Sequence, residues 1–178
     1  MRKALELDRD DPRVLTIAGF GLGYLAGAKE EALALLERAT DLDPNYFMAW
    51  LQRGQACLRL GLPAVPHLER ALRLNPRDLR APFAQNSLAH AHLFAGHYAK
   101  AVELAEDALK RLPGYPPSIL TLAAARAHAG QLDAARQAVA LLLEVRAGAR
   151  VSTMVDQLMF PKHLRLFIEG LRMAGLPE

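Results

Sequence analysis

Three histidines, one cysteine and a glycine cluster have the residue types that could do chemistry in this 178-residue chain. His90, His92 and His97 stand close together. A histidine metal site needs imidazoles on one face, as the i, i+4 spacing of HExxH provides. His90 and His92 point to different faces of a helix, and no HExxH or cysteine partner follows. His97 comes directly after a glycine and reads as solvent-exposed. Cys57 has no identifiable base beside it, so it reads as a small core residue rather than a nucleophile. As the single cysteine it cannot form an intrachain disulfide, which points to a reducing compartment. Gly19-Phe20-Gly21-Leu22-Gly23 has G-x-G spacing, but a phosphate cradle follows a strand, and this stretch lies within a helical pattern. The expectation is a chain with no catalytic residues, no metal and no cofactor.

The elements that carry these residues are helical. Hydrophobic residues make up 52% of the chain and aromatics only 6%. The apolar content is mostly Ala and Leu, which lose little on entering a helix. The length suits one domain with a sizeable core. No run approaches the roughly 18–20 apolar residues of a membrane span, and Met1-Arg2-Lys3 leads into no signal-peptide core. The expected location is cytoplasmic. Net charge is +3, and Arg53, Arg59, Arg70, Arg73, Arg77 and Arg80 are spread over one stretch. A nucleic-acid or membrane surface would need them on one face with aromatics between. They read instead as solvated helix faces, with neither nucleic acid nor membrane as partner.

The pattern repeats. Gln85-x2-Leu88-Ala89-x2-His92, Gly96, Ala101-x3-Ala105-x2-Ala108 returns 34 residues later as Ile119-x2-Leu122-Ala123-x2-Arg126, Gly130, Ala135-x3-Val139-x2-Leu142. Upstream copies run from Trp50 through Gly54, Cys57, Gly61, Ala64, Leu68 and Ala71 to Pro76, and from Leu15 through Gly19, Leu22, Gly27, Ala32, Leu36 and Ala39 to Pro44. The four segments resemble tetratricopeptide repeats, whose pattern is W-x2-L-G-x2-Y…A-x3-F…P over about 34 residues. The resemblance implies an all-α, right-handed α-α superhelix, a TPR-like solenoid, with four helix pairs over residues 10–147. Gly19, Gly54, Ala89 and Ala123 suit close helix approach, the turn glycines suit helix ends, and Pro44, Pro76 and Pro113 stop second helices. The copy at 45–76 is two residues short around Leu62-Pro63-Ala64-Val65-Pro66, so Pro63 and Pro66 must sit near the start of its second helix. Arg126 stands where the family usually has an aromatic, and the linker Arg77 to Ala81 is about three residues long for its kind.

Fitted backwards, the pattern places Ala4 with Ala39, Ala71 and Ala108, and Arg9 in the slot of the closing proline. Residues 1–9 then read as the trailing second helix of a truncated repeat, about Met1 to Asp8, whose partner would lie in a longer protein.

Residues 148–178 form a C-terminal capping segment and helix. Ser152 is expected to cap a short helix running to Leu158-Met159, and Phe160-Pro161 to break it. The last helix presents Leu164, Phe167, Ile168 and Leu171 on one side and Lys162, Arg165, Glu169 and Arg172 on the other. It reads as a cover for the last repeat, with docking in a groove as the alternative. Gly170-Leu171-Arg172-Met173-Ala174-Gly175-Leu176-Pro177-Glu178, with Tyr115-Pro116-Pro117 upstream, resembles the close of C-terminal repeat regions in bacterial class III adenylate/guanylate cyclase-like proteins and related winged-helix regulators. That resemblance implies a signalling context with the catalytic or DNA-binding domain ahead of the repeats. The metal-binding aspartate pair of such a cyclase is not assignable here.

In tetratricopeptide folds the first helices line a concave groove. By that resemblance the groove would present Arg13, Thr16, Phe20 and Tyr24, then Met48, Leu51, Gln55 and Arg59, then Phe83, Asn86, His90 and Phe94, then Leu120, Ala124 and His128. Family members that grip a C-terminal carboxylate use Lys, Asn and Arg at set slots. Here those slots hold Thr16, Phe20, Gln52, Phe83 and Ser87, so no carboxylate clamp is expected. The groove reads as apolar and aromatic with a few polar anchors, suited to a helical or apolar segment of a partner, the chain's own tail or an N-terminal domain. The function expected is a non-catalytic interaction or scaffold module, regulatory in a cyclase-like protein. The alternatives are a module of a winged-helix regulator or a free-standing adaptor.

Overall fold

The computed structural model describes residue 8, residues 10–155 and residues 159–178, and every regular element among them is an α-helix. In order these are α1 Pro12–Leu25, α2 Lys29–Leu42, α3 Phe47–Leu60, α4 Val65–Leu74, α5 Ala81–Phe94, α6 Tyr98–Arg111, α7 Pro116–His128, α8 Leu132–Val145, α9 Val151–Met154 and α10 Pro161–Met173. Asp8 apart, the helix expected over residues 1 to 8 lies outside the described residues, as does the expected end of the short tail helix at Leu158. None of these helices is long and apolar enough to cross a membrane.

Local chemistry sets the helix ends. The Asp11 carboxylate accepts from the backbone N–H of Arg13 at 2.6 Å and of Val14 at 3.2 Å, and Pro12 fills the first helical position. Between the two helices of each pair the chain turns through a glycine in the left-handed region, with φ from 69° at Gly27 to 80° at Gly96. Second helices α2, α4 and α6 end two residues before a proline. There Asp43, Asn75 and Leu112 have ψ of 89°, 82° and 76°, because the following ring disfavours helical geometry. With Pro66 in its first turn, α4 has 10 residues where α2 has 14, which absorbs the two-residue shortage of that repeat.

The chain divides into two compact units, Met1–Ala81 and Pro82–Glu178. In the first, α1 packs on α2, α2 on α3 and α3 on α4, with α1 alongside α3. Glycine makes two of these contacts possible. A Cβ at Gly19 would lie 2.8 Å from Leu36 Cγ, and one at Gly54 would lie 2.6 Å from Leu68. Leu36 and Leu68 are fully buried in return, each contributing about 1.5–3 kcal/mol.

In the second unit α6 packs on α7, α7 on α8, and α10 on α7. Small residues again line the contacts: Ala101, Ala105, Ala108, Ala123 and Ala135 are all buried. The short helix α9 departs from expectation. Its cap position is Arg150, not Ser152, because the Thr153 hydroxyl accepts the Arg150 N–H at 3.2 Å. Ser152 is exposed, and Val155, with ψ of 132°, ends the helix. The end of the chain returns to this point, where the Val151 N–H donates to the Pro177 carbonyl at 2.8 Å.

Candidate functional site: the inner faces of the first helices

The first helices α1, α3, α5 and α7 carry the expected groove residues in rows, and the rows differ in burial. The row Thr16, Leu51, Asn86 and Leu120 is buried throughout, at 3%, 2%, 6% and 3% exposure. Leu51 and Asn86 are therefore packing residues of the helix layer rather than groove residues that meet solvent. The row one turn on holds Phe20, Gln55, His90 and Ala124, and the next holds Tyr24, Arg59, Phe94 and His128. Of these two rows, Phe20 and Tyr24 are the large side chains that stay exposed.

In the first unit Phe20 and Tyr24 stack one turn apart on α1, with centroids 5.3 Å apart and planes at 18°. They are 41% and 46% exposed, high for large aromatics. The Arg59 guanidinium lies over the Tyr24 ring, 4.8 Å from its centroid, in cation–π geometry. Lys29, Gln52 and Arg59 border the hollow beside the two rings. Met48 and Gln55 are half-buried on α3.

In the second unit the same rows are covered by α10. His90 stacks on Phe94 at 5.6 Å, and the Phe167 ring stands edge-on to both, at 5.2 Å and 6.4 Å. His163 lies flat on Phe94 at 4.2 Å with planes at 7°. His128 Nε2 donates to the Leu166 carbonyl at 2.8 Å, and Tyr98 stacks on the same imidazole at 5.2 Å. Gly170 is pressed to α7, so a Cβ there would sit 3.0 Å from Ala124 Cα and 2.9 Å from the His128 ring. The tail helix thus lies on the inner side of α5 and α7. Phe167 and Leu171 are 3% and 0% exposed beneath it, while Lys162, Arg165, Glu169 and Arg172 face out. Sequence reasoning named the apolar stripe of α10 but missed His163 and Gly170. The available signal was a glycine inside a helix, which costs about 1 kcal/mol unless close contact requires it.

Beneath this contact a buried polar knot ties α5 to α7. The Thr121 hydroxyl lies 2.8 Å from Asn86 Oδ1, 2.7 Å from His90 Nε2 and 2.8 Å from the Pro117 carbonyl. Phe83, the remaining groove candidate on α5, packs its ring on Tyr115 at 5.2 Å.

The residues first weighed for chemistry take separate places. His90 enters the α5–α7–α10 contact, whereas the His92 ring lies 5.6 Å from that of exposed His97. Burial pushes the Cys57 thiol up from its ordinary value, with Arg53 opposing. Arg126, in its aromatic slot, donates to Glu106 at 2.8 Å and to the Ala134 carbonyl at 3.2 Å, which ties α7 to α6 and α8. Among the described residues no three His, Cys, Asp or Glu side chains are gathered to hold a metal. The inner faces present aromatic planes, an arginine over one of them and an imidazole donating to a helix carbonyl.

Comparison with known proteins points the same way. Residues 92–158 match the sequence model of the tetratricopeptide repeat. Among solved structures the chain is similar to PilW, a widely conserved type IV pilus biogenesis factor. That match has a TM-score of 0.77 and 19% identity, covering 97% of this chain and 77% of the other. It is also similar to MamA, with a TM-score of 0.67 and 23% identity over 81% of this chain and 78% of that one. YrrB, a TPR protein with an unusual peptide-binding site, aligns with a TM-score of 0.51 and 17% identity over 83% and 92%. At these identities the likeness establishes the fold, which is that of tetratricopeptide-repeat proteins. No curated protein sequence matches the chain.

Proposed function

We propose that the chain is a non-catalytic protein-interaction module whose partner-binding surface is the inner face of its first unit. The observation that carries this is the Phe20–Tyr24 stack, exposed at 41% and 46% with Arg59 laid over it. A contiguous exposed pair of aromatic rings is a common mark of a protein-interaction surface. In the second unit the corresponding face is already covered by the chain's own helix. Residues 92–158 match the repeat model, and YrrB, of the same fold, has a peptide-binding site, which supports reading the surface as one for protein segments.

The test is selection of a displayed random-peptide library on the full chain, repeated on a Phe20→Ala/Tyr24→Ala variant. The reading expects a family of enriched peptides that is lost with the double substitution. No enrichment, or enrichment indifferent to the substitution, would refute it.

The wider setting proposed is a cytoplasmic signalling protein of the bacterial nucleotide cyclase-like kind, for which this module is regulatory. Its support is the tail Gly170–Glu178. An in-frame cyclase domain encoded ahead of residue 1 is the expected finding, and a winged-helix domain there would transfer the module to a transcription regulator.

A further inference from the structure

We infer that the inner face of the first unit takes a partner protein's amphipathic helix by a phenylalanine on that helix's apolar ridge. This rests on the interaction-module reading and names the kind of partner. The second unit shows how such a face holds a helix. Registering the repeats places Phe20 with His90 and Tyr24 with Phe94. His90 and Phe94, stacked one turn apart, receive the Phe167 ring of α10 edge-on to both, at 5.2 Å and 6.4 Å with planes at 82° and 81°. An edge-on ring suits an aromatic plane because its positive rim meets the negative face.

The first unit repeats the pair and leaves it open. Phe20 stacks on Tyr24 at 5.3 Å and 18°, against 5.6 Å and 22° for His90 and Phe94. His90 and Phe94 are half-buried beneath α10, whereas Phe20 and Tyr24 stay exposed. The surroundings of the pair differ as well. Gly23 stands in the slot of Leu93, a side chain wholly buried in the second unit. Gly23, Ala32 and Ala56 line the hollow beside Phe20 and Tyr24, and they offer contact without a side-chain hydrogen bond.

These features favour an apolar ring over a charged side chain. Arg59 already lies over Tyr24, and Gln55 is likewise engaged within the molecule, so neither stands ready to choose a partner by charge. What stays uncovered is the ring pair, and Ile17, 65% exposed, extends it along α1. Ile17, Phe20 and Tyr24 follow the i, i+3, i+7 spacing of a ridge that meets another helix. The fitting occupant brings a helix ridge with a phenylalanine set edge-on to the pair, as Phe167 is set in the second unit. Phe167 of a second copy is not that occupant, because it is already buried at 3% in its own unit.

The experiment uses a fluorescent peptide of about 18 residues, long enough to be partly helical in water. It carries phenylalanine and leucine at i and i+4, with lysine and glutamate in equal number on its polar face. Binding to the full chain is read by anisotropy, beside peptides with phenylalanine changed to alanine or cyclohexylalanine and one interrupted by two prolines. The expected results are saturable binding of the phenylalanine helix and at least about tenfold weaker binding of the alanine and proline peptides. Cyclohexylalanine keeps the bulk without the aromatic rim and should bind about two- to tenfold more weakly. Phe20→Leu/Tyr24→Leu should abolish that last difference. Circular dichroism establishes that the variant is folded. If it is not, the unaltered chain decides, because the Phe20 and Tyr24 ring proton resonances should shift saturably with the phenylalanine peptide. No saturable binding, equal binding of the alanine, cyclohexylalanine or proline peptide, or unmoved ring resonances would each overturn the inference. If the phenylalanine helix fails while library selection still yields Phe20-dependent peptides, the partner class is wrong and the module reading stands. If both fail, both fall.

Discussion

Gly170→Ala sets two known effects against each other in α10. Alanine in a helix interior is favoured over glycine by about 1 kcal/mol, so the isolated helix gains. Docked, the new Cβ lies 3.0 Å from Ala124 Cα and 2.9 Å from the His128 ring. The first of these is backbone and cannot swing away, so α10 must retreat by about half an ångström or more, and a gap of that order forfeits a quarter to a half of the contact attraction. Phe167 and Leu171, together worth about 3–6 kcal/mol when buried, lie on the face that lifts. The His128–Leu166 hydrogen bond stretches with them. A loss of about 1–3 kcal/mol thus outweighs the propensity gain, for a net destabilisation of up to about 2 kcal/mol. Thermal melting should fall by several degrees, at about 4–8 °C per kcal/mol for a unit of this size. The direct reporter is the His163 ring, whose proton resonances are shifted by Phe94 stacked at 4.2 Å and should move toward free-histidine positions. Amide exchange in α10 should quicken. Gly175→Ala, at φ 85° with open space around it, is the control that strains the backbone without lifting the helix. A raised melting temperature in Gly170→Ala with the His163 shifts unchanged would refute the argument.

Thr121→Val keeps shape but deletes the hydroxyl that meets Asn86, His90 and the Pro117 carbonyl, and should cost about 1–3 kcal/mol in urea unfolding because Asn86 is left buried with an unmet acceptor. Gly54→Ala drives a Cβ to within 2.6 Å of Leu68, and an overpacking cost of about 1–3 kcal/mol should exceed the helix-propensity gain of about 1 kcal/mol, lowering the melting temperature measured by circular dichroism. His67, stacked on Trp50, titrates below its ordinary 6.5, first because burial disfavours the cation and second because Arg53 repels it. Its folded pKa is depressed, so the unfolded chain takes up the proton first, and stability present above pH 6.5 is lost as pH falls through that value toward the folded pKa. Urea midpoints should therefore drop with acidification, and His67→Gln should flatten that slope.

How much of this was legible in the sequence follows from how local each cause is. Gly27, Gly61, Gly96 and Gly130 were readable as turns because a left-handed residue is required there whatever surrounds it. Pro44, Pro76 and Pro113 were readable as stops because the ring acts on the residue immediately before it. The shortened α4 followed from Pro63 and Pro66 in the same way. The inner-face rows were only half legible. Thr16, Leu51, Asn86 and Leu120 share a helix side with Phe20, Gln55, His90 and Ala124, yet the first row is buried throughout while Phe20 stays exposed. Periodicity gives the side and leaves the depth of burial along it to the packing of neighbouring helices. The placement of α10 was the least legible feature. It depends on contacts among residues far apart in sequence, Phe94 with His163 and Ala124 with Gly170, and composition carries no trace of such pairings.

The tail motif takes on a different meaning once its residues are placed. Gly170 is where α10 meets α7, Leu171 is wholly buried, and Arg172 donates to the Glu178 carboxylate at 2.6 Å. Ala174 and Leu176 are buried at 1% and 4%, and Gly175 turns the chain at φ 85° so that the Pro177 carbonyl can meet Val151. Several residues of the stretch thus have a task in closing the second unit. Any repeat protein that lays its last helix on its own inner face meets the same geometric demands, so a shared ending reports that way of closing before it reports a shared activity. In the first unit, by contrast, Phe20 and Tyr24 keep their stacked rings exposed, with Arg59 laid over Tyr24.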